Sequence, residues 1–453
     1  MLLADVAATS DAVAATRSRL AKRALLVDLL RRTPPDDVEV VARYLAGELR
    51  QRRTGLGWRS MAELPEPASV ATLTVAAVDA TFEELAALEG AGSASTRAQR
   101  ARALFAAATA DEQRLLRGLV TGEVRQGALD SLLLDAVAEA SGVEPALVRR
   151  AAMLAGATEP VAVAALGAGD PAEAAAALAQ FGLVVGRPVR PMLAQSAPDV
   201  AAALVALGAG EVVVDTKLDG IRIQVHRAGD AVAVFTRSLD DITARVPELV
   251  AAVRALPARD VVLDGEALAV GPDGRPRPFQ ETAARTASHD VEVATLTPFF
   301  FDCLHVDGRD LLDAPLRERL AALDAVAGPY AVTRLVTSDP AAATDRFAEV
   351  VAAGQEGVVV KSLDAPYEAG RRGAAWIKVK PRHTLDLVVL AVEWGSGRRR
   401  GYLSNIHLGA RSGDGFVMLG KTFKGMTDEM LRWQTERFTE LATSTLDDWV
   451  VHL

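Results

Sequence analysis

Asp215-Thr216-Lys217-Leu218-Asp219-Gly220-Ile221-Arg222 is the stretch on which the reading of this chain turns. Just upstream, Val212-Val213-Val214 forms a short buried strand. Downstream, Ile221, Ile223 and Val225 alternate with Arg222, Gln224 and His226, the period-two pattern of a half-buried strand. Asp219-Gly220 between them is a turn dipeptide. Lys217 is therefore expected at the lip of a sheet rather than on a solvated helix. A lysine amine is a good nucleophile only when neutral, and burial or nearby cations lower its pKa. A lone Lys-x-Asp-Gly string is a modest signal, so its partners further along decide the matter.

At 453 residues the chain is expected to hold two to four domains, and half of it is apolar, enough for large cores. The single cysteine, Cys303, excludes a disulfide framework and a multi-cysteine zinc site. Histidines 226, 289, 305, 383, 407 and 452 do not cluster at ligand spacing. The N-terminus lacks a basic region followed by an apolar core, so no signal peptide is expected, and no run approaches the ~20 apolar residues of a membrane span. A cytoplasmic protein is the simplest expectation. The net charge of −9 mildly opposes nucleic-acid binding, but the distribution matters more. Arg371, Arg372, Lys378, Lys380 and Arg382 share a short window without an acid, and Arg398-Arg399-Arg400 is a second bunch that reads as a solvated face.

Residues 1–186 read as helical. Val38, Val41, Leu45 and Leu49 make one stripe, stopped at Thr54-Gly55. Two more helices flank the turn Thr121–Gly127, whose glycines and Arg125 suit either a phosphate or a plain inter-helix turn. Gly186-Arg187-Pro188-Val189-Arg190-Pro191 is a linker, because proline blocks helix and extends its predecessor. From 187 to 384 runs of β-branched residues alternate with helices near 245–255 and 315–327, giving a mixed α+β domain. A third piece, 385–453, offers strands at 385–394, 403–411, 416–423 and 449–453 and a helix near 427–440, as in a small barrel that stops early.

Several positions besides Lys217 have suitable chemistry. Asp264-Gly265-Glu266 joins two strand segments; Glu266 suits a ribose hydroxyl or a magnesium ion, and by itself equally an exposed hairpin acid. Glu356-Gly357 precedes Val358-Val359-Val360-Lys361, and a glutamate at the mouth of a buried strand suits a hard cation or a turn. In Trp376-Ile377-Lys378-Val379-Lys380, alternation puts both lysines on one face. Such neighbours repel unless an anion such as a triphosphate joins them, or they guard a solvated edge strand. Phe299-Phe300-Phe301 is core as a group, with one ring free to face a base. Arg237 after a strand suits a phosphate or plain solvent.

Taken in order, these strings resemble the nucleotidyltransferase superfamily of polynucleotide ligases and mRNA capping enzymes. Lys217-Leu218-Asp219-Gly220 resembles its first motif, Asp264-Gly265-Glu266 its third, Phe301-Asp302 its adenine-stacking motif, Glu356–Lys361 its fourth and Trp376–Lys380 its fifth. Within it, the chain resembles ATP-dependent DNA ligases of the archaeal, eukaryotic and actinobacterial type. The helical region with Thr121–Gly127 is similar to their DNA-binding domain, Pro191-Met192-Leu193-Ala194 to the start of their adenylation domain, Tyr367–Arg372 to their approach to the fifth motif, and Lys421–Gly425 to where their OB-fold begins to meet DNA. NAD-dependent ligases carry a four-cysteine zinc site and fit poorly.

The resemblance implies an all-α DNA-binding domain (1–186), an α+β adenylation domain (187–384) and a partial OB-fold barrel (385–453). It implies an enzyme that seals nicked duplex DNA in replication, repair or recombination, in a bacterial cytoplasm at the nucleoid. Lys217 would become AMP-linked at the expense of ATP; AMP would pass to the 5′-phosphate of the nick, and the 3′-hydroxyl would displace it. Magnesium would be held by Glu266 and Glu356. Asp215, Arg222, Arg237, Glu266, Phe301, Arg372, Lys378 and Lys380 would bind the nucleotide. An RNA ligase or capping enzyme would share the middle domain, and a non-catalytic DNA-binding relic is a second alternative. In that family the OB-fold ends in a sixth, basic and arginine-rich motif. Here the sequence stops at Trp449–Leu453 with four readable strands, so self-adenylation is the step expected to suffer.

Overall fold

The computed structural model describes residues 1–453 except 52, 125, 127–129, 209, 272–275, 288–294, 369–374, 383, 397–398, 424, 447–449 and 453. Its chain divides into two compact units, Met1–Lys380 and Pro381–Leu453.

The first part of the larger unit is helical, from Leu3–Ala15 to Pro171–Ala179. Its stops follow local chemistry. The helix Val38–Ala46 ends at Gly47, whose φ of 82° only glycine adopts freely, so the apolar stripe that continues to Leu49 lies past the helix. The helix Ala110–Thr121 opens on a capping box in which the Thr109 hydroxyl accepts from Glu112 N–H and the Glu112 carboxylate accepts from Thr109 N–H. One continuous core runs through these helices, with Leu26, Leu45, Phe82, Phe105, Leu116 and Val137 buried in it. In the turn after Thr121, Gln126 is buried and its side chain bonds the Leu45 carbonyl and the Ser10 hydroxyl. Arg125 and Gly127, the other half of the anion reading, lie outside the described residues.

Two sheets follow. The first contains β1 (Gln195–Ala197), β2 (Val212–Lys217), β8 (Arg334–Thr337), β9 (Gly357–Ser362) and β10 (Trp376–Val379), in the order β1-β10-β9-β2-β8. Among the described residues of this sheet only the β1–β10 pair is parallel. The second contains β3 (Ile221–Ala228), β4 (Ala231–Thr236), β5 (Asp260–Ala269), β6 (Leu296–Val306) and β7 (Arg309–Asp310), antiparallel in the order β4-β3-β5-β6-β7. The expected helices appear as Pro247–Arg254 and Leu316–Ala327. Three others were not expected: Val200–Leu207, Phe279–Ala287 and Pro340–Ala352. Apolar side chains of Val200–Leu207 and Pro340–Ala352 cluster with one face of the first sheet; those of Pro247–Arg254 and Leu316–Ala327 cluster with the second.

Two buried polar devices brace this part. Arg319 and Asp302, both 0% exposed, form a bidentate pair at 2.7 and 3.1 Å, and Arg319 also donates to the carbonyls of Ala314 and Ala365. Gln224 bonds both the N–H and the carbonyl of Val189, and His226 Nδ1 accepts from Gly186 N–H at 3.0 Å. The 186–190 linker is thus held by side chains of β3.

The smaller unit is an antiparallel sheet of β11 (Val388–Trp394), β12 (Leu403–Ser412), β13 (Gly415–Thr422), β14 (Ser444–Leu446) and β15 (Val450–His452), with the helix Asp428–Leu441 capped by Thr427. It has five strands where the sequence shows four, because β14 spans only three residues and carries no alternation to read. Its order, β13-β12-β11-β15-β14, leaves β13 and β14 at the edges. The core is small: Val392, Leu403 and Val451, with Trp394, Ile406 and Phe438 against it.

Accepting from Gly186 N–H requires an uncharged His226 ring, and burial with His305 nearby pushes its pKa down to about 3. Its folded pKa lies below its unfolded one. The stability it supports is therefore present above about pH 6.5 and is lost as pH falls from there toward about 3, by at most about 1.4 kcal/mol per pH unit. Urea unfolding of the wild type between those limits is expected to show this slope, and His226→Gln is expected to lack that component.

Candidate active site

Lys217 is the last residue of β2, opposite Gly357 of β9 in the antiparallel register. Gly357 has φ 140°, and a Cβ there would overlap the Val379 carbonyl oxygen of β10. The turn behind Lys217 is equally tight: a Cβ on Gly220 would overlap the Ala267 carbonyl of β5. These two close approaches explain why Lys-x-Asp-Gly and Glu-Gly carry glycine where they do. Gly220 N–H donates to Glu266 Oε1 at 3.2 Å, so the turn also fixes the glutamate.

Lys217 Nζ pairs with Glu356 Oε2 and reaches the Leu218 carbonyl at 3.4 Å. Glu356 also pairs with Lys380 through its other oxygen. Burial pulls the Lys217 amine below the ordinary lysine range; Glu266 and Asp219 resist this, and the Arg222 guanidinium adds to it. Burial pushes Glu266 up to about 7, against the pull of Lys217 and Arg222. At neutral pH Glu266 is therefore near the point at which it loses its charge, and the Lys217 amine gives up its proton more readily than an ordinary lysine.

Further in, Lys361 is 2% exposed and pairs with the buried Asp215 at 2.5 Å. Burial raises the Asp215 pKa, Lys361 opposes it, and neither carboxylate oxygen has a well-directed hydrogen bond among the described residues. The Lys361 amine also lies 4.7 Å from the centroid of Phe301 and 4.3 Å from that of Trp376. Arg222 forms a bidentate pair with Asp264, at 3.0 and 2.6 Å, and donates to the Met192 carbonyl at 2.8 Å. Its guanidinium lies 5.3 Å from the Phe301 centroid.

These side chains surround a cavity of about 230 Å³ that draws its walls from both sheets. It brings together Asp215, Lys217, Arg222, Arg237, Glu266, Phe301 and Lys378 from the residues nominated in the sequence. Arg237 is exposed, and neither it nor the half-buried Lys378 has a hydrogen-bond or ion-pair partner among the described residues. Glu356 and Lys380 pair at the amine of Lys217 or beside it and do not line the cavity. Arg372 lies outside the described residues. Sequence reasoning passed over Lys361 and Trp376, which line the cavity, and Asp264 and Tyr367, which stand behind it. The signal for Lys361 was present: a lysine closing a four-residue strand core is buried with its neighbours and must find a carboxylate.

Among the described residues no group of three or more His, Cys, Asp and Glu side chains suits a metal ion. Glu266 and Glu356, both close to Lys217, are two carboxylates. That donor set suits magnesium, which takes one or two carboxylates and completes its octahedron with waters and substrate phosphates.

Two sheets thus enclose a half-buried lysine amine, two carboxylates and two cations that have no partner among the described residues. Residues 191–380 match the family described as ATP dependent DNA ligase domain, and residues 60–138 match DNA ligase N terminus. A probable DNA ligase of Beutenbergia cavernae is 74% identical over 459 residues, covering 100% of this chain and 90% of the relative. A probable DNA ligase of a Nocardioides species is 62% identical, covering 98% of this chain and 87% of the relative. The solved structure Pmar-Lig_PreS3 shares the fold with a TM-score of 0.63 at 17% identity, over 96% of this chain and 91% of that one. The chain belongs to the ATP-dependent DNA ligase family.

Removing Lys361 would leave Asp215 buried without its cation. Lys361→Met is expected to lower the unfolding free energy by about 3–5 kcal/mol, and Asp215→Leu in the same chain to recover much of it. A loss in the double variant equal to the sum of the two single-variant losses, by denaturant titration, would show that the pair is not coupled.

Proposed function

We propose that this chain seals nicks in duplex DNA by way of an AMP group carried on Lys217. The observation that carries this reading is the Lys217 amine itself, desolvated at the wall of a cationic cavity and paired with a carboxylate.

The uncharged amine attacks the α-phosphorus of ATP, an N–P bond forms and pyrophosphate leaves. Burial lowers the cost of deprotonating Lys217, and Glu356 Oε2 orients the amine. Phosphoryl transfer asks mainly for positioning and charge stabilisation. Arg237 and Lys378, neither with a partner among the described residues, supply positive charge to the phosphates. Lys380, paired with Glu356, adds to that charge, and the resemblance gives Arg372 a share in the same role. Phe301 offers its ring to the adenine, and Asp215 and Arg222 hold the surrounding wall. Glu266 and Glu356 would hold magnesium, which when bound neutralises phosphate charge. The 5′-phosphate of a nick then attacks the phosphorus of the Lys217-linked AMP, the N–P bond breaks and the amine is released. Finally the 3′-hydroxyl attacks the activated 5′-phosphate and AMP departs.

The division of labour follows the resemblance. Residues 1–186 grip the duplex, 187–384 perform the chemistry, and 385–453 form an OB-fold, whose five-strand count the smaller unit matches. The bacterial relatives and the single free cysteine suit work in a bacterial cytoplasm.

Intact-mass measurement after incubation with ATP and magnesium is expected to show a gain of one AMP, lost in Lys217→Ala. A mass gain that survives in Lys217→Ala sinks the assignment. Arg237→Ala is expected to raise KM for ATP by about tenfold, the worth of one charge-assisted hydrogen bond; an unchanged KM in initial-rate adenylation assays would remove Arg237 from the phosphate site.

A further inference from the structure

Four groups behind the cavity close a ring of hydrogen bonds. Met192 N–H donates to the Tyr367 hydroxyl at 3.0 Å, and that hydroxyl donates to Asp264 Oδ2 at 2.6 Å. Asp264 accepts the fork of Arg222, and Arg222 returns a hydrogen bond to the Met192 carbonyl at 2.8 Å. Tyr367 is 1% exposed and Asp264 0%. In such surroundings loss of the hydroxyl leaves the buried Met192 N–H without its partner and Asp264 Oδ2 with the Arg222 bond alone.

The ring joins three stretches distant in sequence: the segment entering β1, the paired strands β3 and β5, and the segment after β9. The first two line the cavity, and the third packs against its lining. Leu193 and Ala194 follow Met192 directly, Arg222 faces the cavity from β3, and Trp376 packs edge-on against Tyr367 at 5.9 Å. The acceptor side of Asp264 is shared between Arg222 Nη2 and the Tyr367 hydroxyl, both on Oδ2. Burial and the Asp264 charge hold the Tyr367 pKa well above the ordinary tyrosine value, so it remains a donor throughout the working pH range.

We propose that Tyr367 is a positioning residue for nucleotide binding: its hydroxyl fixes, through Asp264, the orientation in which Arg222 faces the cavity, and through Met192 the wall formed by Leu193 and Ala194. This rests on the reading of the cavity as the nucleotide site. Tyr367 does not itself line the cavity, so it acts through Arg222 and not on the ligand.

Tyr367→Phe keeps the ring and its packing and removes only the hydroxyl. Arg222→Lys keeps a cation but cannot reproduce the bidentate fork. Calorimetric titration with an ATP analogue carrying a methylene between the α- and β-phosphorus, on wild type, both single variants and the double variant, reads binding without chemistry. Tyr367→Phe is expected to weaken binding about tenfold in the wild-type background and less than about twofold beside Arg222→Lys, the non-additivity of residues in one network. A purely structural role would lower the folded fraction and the melting temperature but leave Kd unchanged; that result, or equal weakening in both backgrounds, overturns the proposal. The mass gain of the wild type with ATP is scored separately, so a failure of Lys217 to take AMP is not mistaken for a failure of Tyr367.

Discussion

Burying a cation costs several kcal/mol unless a carboxylate comes with it, and the middle of this molecule is built around that constraint. Lys217 is set against Glu356, Lys361 against Asp215, Arg222 against Asp264 and Arg319 against Asp302. Each pair joins different segments: β2 to the start of β9, β9 back to β2, β3 to β5, and a helix to β6. The first two pairs therefore brace the first sheet from strand to strand, and the last two brace the second sheet and tie a helix to it. Hydrophobic clusters fill the far faces of both sheets, so polar groups are concentrated on the faces that meet.

Those constraints explain which parts of the molecule could be read from sequence. The strands around Lys217 were legible because Ile221, Ile223 and Val225 alternate cleanly with polar neighbours. So was the face of Lys378, which lines the cavity while Ile377 and Val379 enter the core behind it; Lys380, read on that same face, pairs with Glu356 outside the lining. The helix Pro340–Ala352 was missed although Asp339 caps it and Pro340 opens it, because its alanine-rich pattern carries few apolar landmarks. Phe279–Ala287 was missed for a related reason: it is short and mixes polar with small residues. β14 is three residues long, below the length at which a period of two can be recognised.

The site was legible as a set of residues but not as a set of pairings. Sequence order gave no sign that Glu356 would meet Lys217 across β2 and β9, nor that Arg222 would be occupied by Asp264. Tyr367 stands more than a hundred positions from Asp264, and only the antiparallel packing of β3 on β5, with the chain after β9 laid behind it, brings them together. Long-range pairing is set by topology, and the local pattern records only that each group is half-buried.

The pairings in turn separate two kinds of cation. Of the five basic side chains that line the cavity among the described residues, Lys217, Arg222 and Lys361 each have a carboxylate, and Arg237 and Lys378 have none. A cation already neutralised by a buried acid gains little from a second anion, since the incoming charge must compete with an existing carboxylate at the same donors. An unpaired guanidinium or ammonium facing a cavity has its donors free, and the electrostatic benefit of an anion there is undivided. Polyphosphate charge should therefore settle toward Arg237 and Lys378. The enclosed end, where Phe301 and Trp376 flank the Lys361–Asp215 pair, is left for the flat and less charged part of a nucleotide. Lys217 lines the same cavity, and its carboxylate, Glu356, pairs with it from outside the lining. That arrangement suits the proposed attack of this amine on the α-phosphorus, where the flat part and the charged tail of a nucleotide join.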